Sequence, residues 1–194
     1  MQGSAGIRLP CMTGRHLRLA FTAFLAVYGV ILLRDPSSWS FLDAVDLAIH
    51  ETGHIVFTPF GRTMHFLGGS LFQLLVPMAF VIEFVRRGDR HAASVCLWWV
   101  AQNCWNISVY VADARARALP LVGGGEHDWA YLLRRAGMLA KDQEISRAIH
   151  GLGVAVFLGA ILWGIAAAGR ARDADSVSSE PSAEHYGQAD QPSR

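Results

Sequence analysis

Apolar residues in this chain are gathered in five long runs separated by short polar or basic segments. The runs cover residues 17–33, 41–57, 65–85, 91–112 and 150–168. Each is close to or above the roughly 17 residues that a helix needs to cross the hydrocarbon core of a bilayer. The pattern therefore predicts an all-α, polytopic helical membrane protein with four to five transmembrane helices.

The segments around these runs complete the predicted organisation. Residues 1–16 are polar and basic, which predicts a cytoplasmic N-terminal tail before an uncleaved first helix. Residues 17–169 form a single helical membrane domain that includes a polar loop at 113–147. Residues 170–194 are rich in Ser, Asp, Glu, Gln and Pro, and this composition predicts a disordered C-terminal tail.

The distribution of arginine conflicts with the simplest topology. If all five runs cross the membrane from a cytoplasmic N-terminus, the basic loop 86–90 lies outside, against the positive-inside rule. The segment 113–147, which is also basic, then lies inside, in agreement with the rule. Two explanations stay open: the short loop is an exception, or one early run is re-entrant.

Composition narrows the class of protein further. The chain has 194 residues, of which 52% are hydrophobic and only 17% are charged. This charged fraction is low for a soluble domain. The formal net charge of +1 gives no indication of a nucleic-acid partner. We expect an integral, multi-pass protein of the cell membrane, with the lipid bilayer as a partner.

The most informative motif lies in the second run, in a predicted helix over residues 41–58. It reads His50-Glu51-Thr52-Gly53-His54, which is the pattern H-E-x-x-H. Positions four apart share one face of a helix, so His50 and His54 can bind one metal ion. Glu51 then lies close enough to act on a metal-activated water. This is the arrangement of a zinc hydrolase, with Zn²⁺ as the expected cofactor and Glu51 as the catalytic base.

The same helix carries a polar stripe along an otherwise apolar surface. Asp43, Asp46, His50 and His54 fall within about 80° of one another around the helix axis. Such groups are costly when they face lipid, so they are expected to face other helices or a water-filled cavity. Asp46 is a candidate to orient His50 through a hydrogen bond. An aqueous helix end is the other interpretation of the two aspartates, since three serines precede them.

A third metal ligand has three candidates. His127, which follows a glycine-rich turn, is the preferred one because imidazole is a common zinc ligand. Asp113, at the end of the fourth run, is an alternative or an additional ligand, and Asp128 is a less favoured one. Asn106 and Tyr110 share the polar face of Asp113 and are expected to position ligands or substrate. Two simpler interpretations stay open: a polar seam that ends in an interfacial Asp113, and acidic residues at a helix N-terminus.

These residues resemble the membrane-embedded zinc peptidases of the site-2-protease type. The resemblance rests on His50, Glu51 and His54 in an early apolar helix and on Asp113 at the end of a later one. It implies zinc binding by the two histidines and Asp113, and base catalysis by Glu51. The family's distal signature, an Asn-Pro stretch leading to Leu-Asp-Gly, is not matched, because residues 111–115 read Val-Ala-Asp-Ala-Arg.

The predicted function is therefore that of a metalloendopeptidase. We expect a zinc-dependent, membrane-embedded enzyme that hydrolyses a peptide bond in a membrane-associated polypeptide substrate. The alternative is a non-enzymatic membrane protein with a structural or transported metal ion. Glu51 separates the two, since only the enzyme needs a base beside the metal.

Overall fold

The structure is a computed structural model that describes residues 14–121 and 125–177. Every regular element in these ranges is helical, which confirms the predicted all-α class for the described part of the chain. Two short 3₁₀ turns accompany six α-helices. The helices are α1 (Gly14–Arg34), α2 (Phe41–Phe57), α3 (Arg62–Arg86), α4 (Arg90–Ala112), α5 (Asp128–Arg135) and α6 (Asp142–Val177).

The helices follow the five apolar runs, with two differences. The polar loop contains α5, and α6 begins at Asp142, well before the last apolar run. Its first turns are amphipathic, and Ile145 and Ile149 pack against a cluster between α4 and α5. Helix α6 also continues to Val177, past the predicted boundary at residue 169. Residues 1–13 and 178–194, which carry most of the two predicted tails, lie outside the described residues.

Three helical segments are long and apolar enough to cross a membrane by length and composition. They are α1, α3 and residues 139–169, which include most of α6. This is fewer than the four to five that the sequence predicts. Helix α2 has only 17 residues, and α4 carries the amides Gln102, Asn103 and Asn106 among its apolar residues.

The helices pack as a bundle with α4 between α3 and α6. Helix α1 packs on α6 and α4, while α2 packs on α3. One core cluster joins Leu25, Trp98, Trp105 and Phe157 of α1, α4 and α6. A second cluster joins α5 to the end of α4. This second cluster holds α5 against the bundle, and α5 supplies part of the site described below.

Large apolar side chains cover much of the outer surface of the bundle. Contiguous exposed apolar surface of this kind indicates contact with lipid or with another protein. On the three candidate spanning helices they include Phe21, Phe24, Ile31, Phe80, Ile82, Leu158, Leu162 and Ile165, and on α2 they include Phe41, Ile55 and Val56. The polar residues of α2 and α4 face inward instead.

Helices α2 and α3 approach closely because glycines meet where they cross. A Cβ atom on Gly68 would lie 2.6 Å from the Cβ of Phe57 and 2.7 Å from the carbonyl oxygen of Gly53. On the next residue, Gly69, a Cβ would lie 2.6 Å from Cδ2 of His50. The absence of side chains at these positions brings the imidazole of His50 against α3.

We expect Gly68→Ala to destabilise the protein by about 1–3 kcal/mol, the usual cost of overpacking. The added methyl group meets the backbone of α2, which cannot move without shifting the whole helix. The control is Gly151→Ala in α6, whose Cβ would meet nothing within 4 Å. Thermal unfolding in detergent should show a lower unfolding temperature for Gly68→Ala and an unchanged one for Gly151→Ala. Equal stability of the two would contradict the close packing of α2 and α3.

Candidate metal centre

Three side chains from two helices meet at one point. His50 and His54 lie one turn apart on α2, and Asp128 is the first residue of α5. Oδ2 of Asp128 lies 3.0 Å from Nε2 of His50 and 3.2 Å from Nε2 of His54. Two ligands about 2.0–2.1 Å from a tetrahedral zinc ion are about 3.3 Å apart. Both distances are close to this separation, and all three atoms lie within 4.8 Å of one another, so the group could hold one metal ion.

A chain of hydrogen bonds determines which nitrogen of His50 carries the proton. The carboxylate of Asp43 can only accept, and it accepts a hydrogen bond from Nδ2 of Asn106 at 2.9 Å. Oδ1 of Asn106 then accepts a hydrogen bond from Nε2 of Gln73 at 2.8 Å. Oε1 of Gln73 is left to face Nδ1 of His50 at 3.0 Å. His50 must therefore donate from Nδ1, and its neutral form has a free lone pair on Nε2.

The orientation of His54 is set in the same way by the backbone of α3. Its Nδ1 lies 2.7 Å from the carbonyl oxygen of His65. A carbonyl oxygen can only accept, so Nδ1 carries the proton and Nε2 has the free lone pair. Both histidines thus show the pattern of zinc-ligating imidazoles, in which the other ring nitrogen donates to an acceptor.

These assignments leave an arrangement that calls for a cation. Two bare imidazole nitrogens and one carboxylate oxygen, all carrying lone pairs, lie within 4.8 Å of one another. Buried groups of this kind repel one another unless a proton or a metal ion lies between them. The donor set of two imidazoles and one carboxylate is one that Zn²⁺ accepts.

Asp128 is held as an anion, which is the form a metal ligand needs. Burial by itself raises the pKa of this carboxyl group. When protons rather than a metal ion lie between this carboxylate and the rings of His50 and His54, the resulting hydrogen bonds outweigh burial and lower the pKa of Asp128 to about 2. The hydroxyl of Tyr110 also donates to Oδ2 at 3.2 Å, and the backbone N–H of Asp128 donates back to that hydroxyl at 3.3 Å.

Glu51 lines a cavity that opens beside the three ligands. The cavity has a volume of about 450 Å³ and is also bordered by His50, His54 and Asp128. Within the described ranges, no hydrogen bond or ion pair ties down the Glu51 carboxylate. Its half-buried side chain is therefore available to a molecule in the cavity. The walls combine polar and apolar residues, among them Trp39, Leu47, Phe66, Asn106, Val109 and Leu119.

His127, the preferred third ligand, lies beside the cluster but is not among the three groups that can share an ion. Nδ1 accepts the backbone N–H of Ala130 at 3.3 Å and so caps α5. The proton is then on Nε2, which lies 3.4 Å from Oδ2 of Asp113 but makes no hydrogen bond within the described residues. Burial lowers the pKa of His127, which favours its neutral form. His127 thus positions α5, and α5 presents Asp128 to the histidine pair.

Asp113, the other candidate ligand, is used in the turn after α4. Its two carboxylate oxygens accept the backbone N–H groups of Ala118 and Leu119 at 2.9 and 3.1 Å. The turn places Arg117 in the left-handed region, at a φ of 51°. Asp113 faces His127 and is not among the three groups that can share an ion.

The residues expected to support the ligands divide into two groups. Tyr110 contacts Asp128 directly, and Asn106 belongs to the hydrogen-bond chain that ends on His50. Asp46 is fully buried and accepts the indole N–H of Trp99 at 2.8 Å, away from His50. The direct partner of His50 is Gln73, which the sequence analysis did not select. A lone amide inside an apolar helix was the available signal.

We expect Gln73→Leu to weaken zinc binding about 10- to 100-fold, as is typical when the partner of a ligating histidine is lost. The leucine gives Nδ1 of His50 no acceptor, so the ring can turn and change tautomer. Ser94→Ala is the control, because this buried hydroxyl donates only to the carbonyl of His91 in the same helix. Competition titration with a zinc indicator measures both. An unchanged affinity of Gln73→Leu would show that the hydrogen-bond chain does not support the metal.

No protein-family model, no curated protein and no solved structure matches this chain.

Proposed function

We propose that this protein is a zinc-dependent, membrane-embedded metalloendopeptidase that hydrolyses a peptide bond in a membrane-associated polypeptide. One observation carries the proposal. Two imidazoles with free Nε2 lone pairs and one carboxylate oxygen converge on a point. That point borders a cavity into which the unpaired Glu51 also projects.

The proposed ligands are His50, His54 and Asp128. Three protein ligands leave one coordination position for water or substrate, as in catalytic zinc sites. When bound, the ion supplies a Lewis acid that polarises a carbonyl group and lowers the pKa of water. The protein's part is to hold the three ligands rigidly, through Gln73, the backbone of α3 and Tyr110.

Glu51 is the proposed general base. It follows His50 directly in α2, so its carboxylate reaches the cavity beside the ligand pair. There it would accept a proton from the attacking water and then pass that proton to the amine of the leaving peptide. A carboxylate already bound to a neighbouring side chain would be less free for this role, and Glu51 has no such bond in the described part of the chain.

The proposed setting is the cell membrane, which the protein crosses several times with four to five helices. The apolar outer faces of α1, α3 and α6 support contact with the bilayer. The three proposed ligands lie on α2 and α5, which pack on α3 and α4, so the proposed substrate is a polypeptide held close to the membrane. The cavity volume of about 450 Å³ lies within the usual range for ligand sites and suits a short extended segment.

The alternative, a structural or transported metal, makes different demands on the same residues. A structural zinc site has four protein ligands, whereas the cluster has three. A carrier needs the histidines but has no use for a base. The open coordination position and the free carboxylate of Glu51 favour the enzyme.

The first test is the metal content of the purified protein in detergent. We expect about one zinc ion per chain in the wild type and none in His50→Ala, because two remaining ligands hold zinc weakly. His150→Ala, which removes a histidine of α6 near Trp105, should keep the zinc. A wild-type protein that lacks zinc and takes up none when it is added would overturn the proposal.

The second part of the test is catalysis. A mixture of internally quenched peptides should be cleaved by the wild-type protein, and a chelator should stop the cleavage until zinc is restored. Zinc-loaded protein that cleaves no peptide, in detergent or in lipid vesicles, would favour the structural or transported metal instead.

A further inference from the structure

The start of α1 and the start of α4 lie at the same end of the bundle. Nε2 of His91, in the first turn of α4, lies 3.0 Å from the hydroxyl of Thr22 and 3.1 Å from the carbonyl oxygen of Arg18. Ala167, late in α6, borders a small cavity with Arg18 and His91. We call this the basic end, since it carries Arg15, Arg18, Arg86, Arg87 and Arg90.

The end of α4 lies beside the start of α6, at the opposite end of the bundle. Arg115 and Asp142 form an ion pair at 2.7 Å, and the hydroxyl of Ser146 donates to the carbonyl of Ser108 at 2.7 Å. His54, Asp128 and the start of α3 are also here, so we call it the metal end. Helices α1 and α4 therefore run from the basic end to the metal end, and α3 and α6 run back.

Helix α2 does not follow this alternation. In its first turn, Asp43 accepts a hydrogen bond from Asn106, in the last third of α4. In its last turn, His54 contacts the carbonyl of His65 at the start of α3. A crossing helix would have one end near Arg90. Both ends of α2 instead lie in the half of the bundle next to the metal end, and its deepest polar contact is that of Asp46 with Trp99.

Four helices then remain to cross the membrane. Helix α4 completes the three apolar ones because it is about 34 Å long and lies antiparallel between α3 and α6. It has no charged residue between Arg90 and Asp113. Its amides Gln102 and Asn103 face the inside of the bundle, where their N–H groups donate to Asp43 and to the carbonyl of Trp99.

The arginines at the helix ends indicate which end is cytoplasmic. Helices α1 and α3 have more arginines at the basic end, whereas the segment 113–147 between α4 and α6, at the metal end, carries five arginines and Lys141. The first helix usually dominates the orientation. At the two ends of α1 the basic end has Arg15 and Arg18 and the metal end has Arg34. At the two ends of α3 the basic end has Arg86, Arg87 and Arg90 and the metal end has Arg62.

From these contacts we infer that α2 is a re-entrant helix and that the metal end faces the non-cytoplasmic side of the membrane. If the proposed function is correct, the substrate is a membrane-proximal segment of a polypeptide on that side. This topology explains the position of the loop 86–90 and leaves the basic segment 113–147 as the exception to the positive-inside rule. The loop lies on the cytoplasmic side with the N-terminus once α2 is not counted as a crossing.

Single-cysteine labelling of intact cells tests the topology. In a background that lacks Cys11, Cys96 and Cys104, one cysteine is placed before α2 (Ser38→Cys) and one after it (Phe60→Cys). Two more are placed at the basic end (Gly14→Cys and Arg86→Cys). The four native residues are exposed, and Gly14→Cys leaves every arginine in place as a control for the charge lost in Arg86→Cys.

We expect a membrane-impermeant maleimide to label the cysteines at 38 and 60 in intact cells. Those at 14 and 86 should react only after permeabilisation, which also shows that all four are reactive. Labelling of 38 and 60 from opposite sides would show that α2 crosses the membrane. Labelling of 14 and 86 from outside would show that the orientation is reversed, and either result overturns the inference.

The labelling result does not depend on the metal, so its failure is separable from that of the proposed function. The same cysteines in a His50→Ala background should give the same pattern without zinc. If the wild type binds no zinc but the pattern is as expected, the topology stands and the enzyme proposal falls. If zinc binds but the pattern is different, only the inferred side of the substrate is wrong.

Discussion

Replacing Asp128 by alanine is expected to abolish stoichiometric zinc binding and peptide cleavage together. The free energy of zinc binding at sites with four ligands is roughly 10–16 kcal/mol. Loss of one ligand therefore weakens the binding free energy by about 3 kcal/mol. That corresponds to a fall in affinity on the order of 100-fold. The loss also leaves the Nε2 atoms of His50 and His54 facing each other without an anion. Zinc titration and elemental analysis measure the effect.

The matched control is His127→Asn, at the neighbouring position. Asparagine is a good N-cap, so it can replace the hydrogen bond that His127 accepts from Ala130 and keep α5 in place. We expect this variant to bind zinc as the wild type does. If His127→Asn loses zinc and Asp128→Ala retains it, the third ligand is the histidine. Circular dichroism of both variants reports whether α5 and the bundle remain folded.

Replacing Glu51 by glutamine is expected to lower kcat about 10²- to 10⁴-fold, the usual contribution of a general base. The zinc content should stay at the wild-type level, because Glu51 is not one of the three groups around the ion. The amide has nearly the same shape as the carboxylate but cannot accept the proton. Elemental analysis and peptide cleavage on the same preparation separate the two effects.

Glu126→Gln is the control for charge in the cavity. Glu126 borders the same cavity as Glu51, but its carboxylate is paired with Arg62 at 3.0 Å and with Arg134 at 3.2 Å. We expect this variant to cleave peptides at close to the wild-type rate. An equal loss of activity in both variants would assign the effect to the cavity charge. A loss of zinc in Glu51→Gln would make Glu51 a ligand and leave the site without its proposed base.

The histidine pair could be predicted from the sequence because its geometry is local. Residues four apart in a helix share a face whatever the helix packs against, and α2 has the predicted start at Phe41. The apolar runs likewise predict helices, since their length and composition determine whether they can be buried or face lipid. The helical class and the position of His50, Glu51 and His54 on one helix follow from these local rules.

The carboxylate that meets this pair in the structure is not local, and spacing along the chain does not single it out. Asp128 is separated from His50 by 78 positions along the chain. Whether His127 or Asp128 points to the pair depends on how α5 begins. His127 caps the helix and Asp128 projects from its first turn. The two side chains point in directions about 100° apart around the helix axis. Packing of α5 on the end of α4 decides that Asp128 projects toward His50.

The sequence by itself determined the helices, the histidine pair and the glutamate beside it, because backbone hydrogen bonding and helical periodicity act over a few residues. Only the tertiary structure decided which carboxylate joins the pair, which amide orients His50 and at which end of the bundle the site lies. These depend on how helices approach one another. Here contacts between glycines, such as Gly53 and Gly68, and buried hydrogen bonds across three helices control that approach.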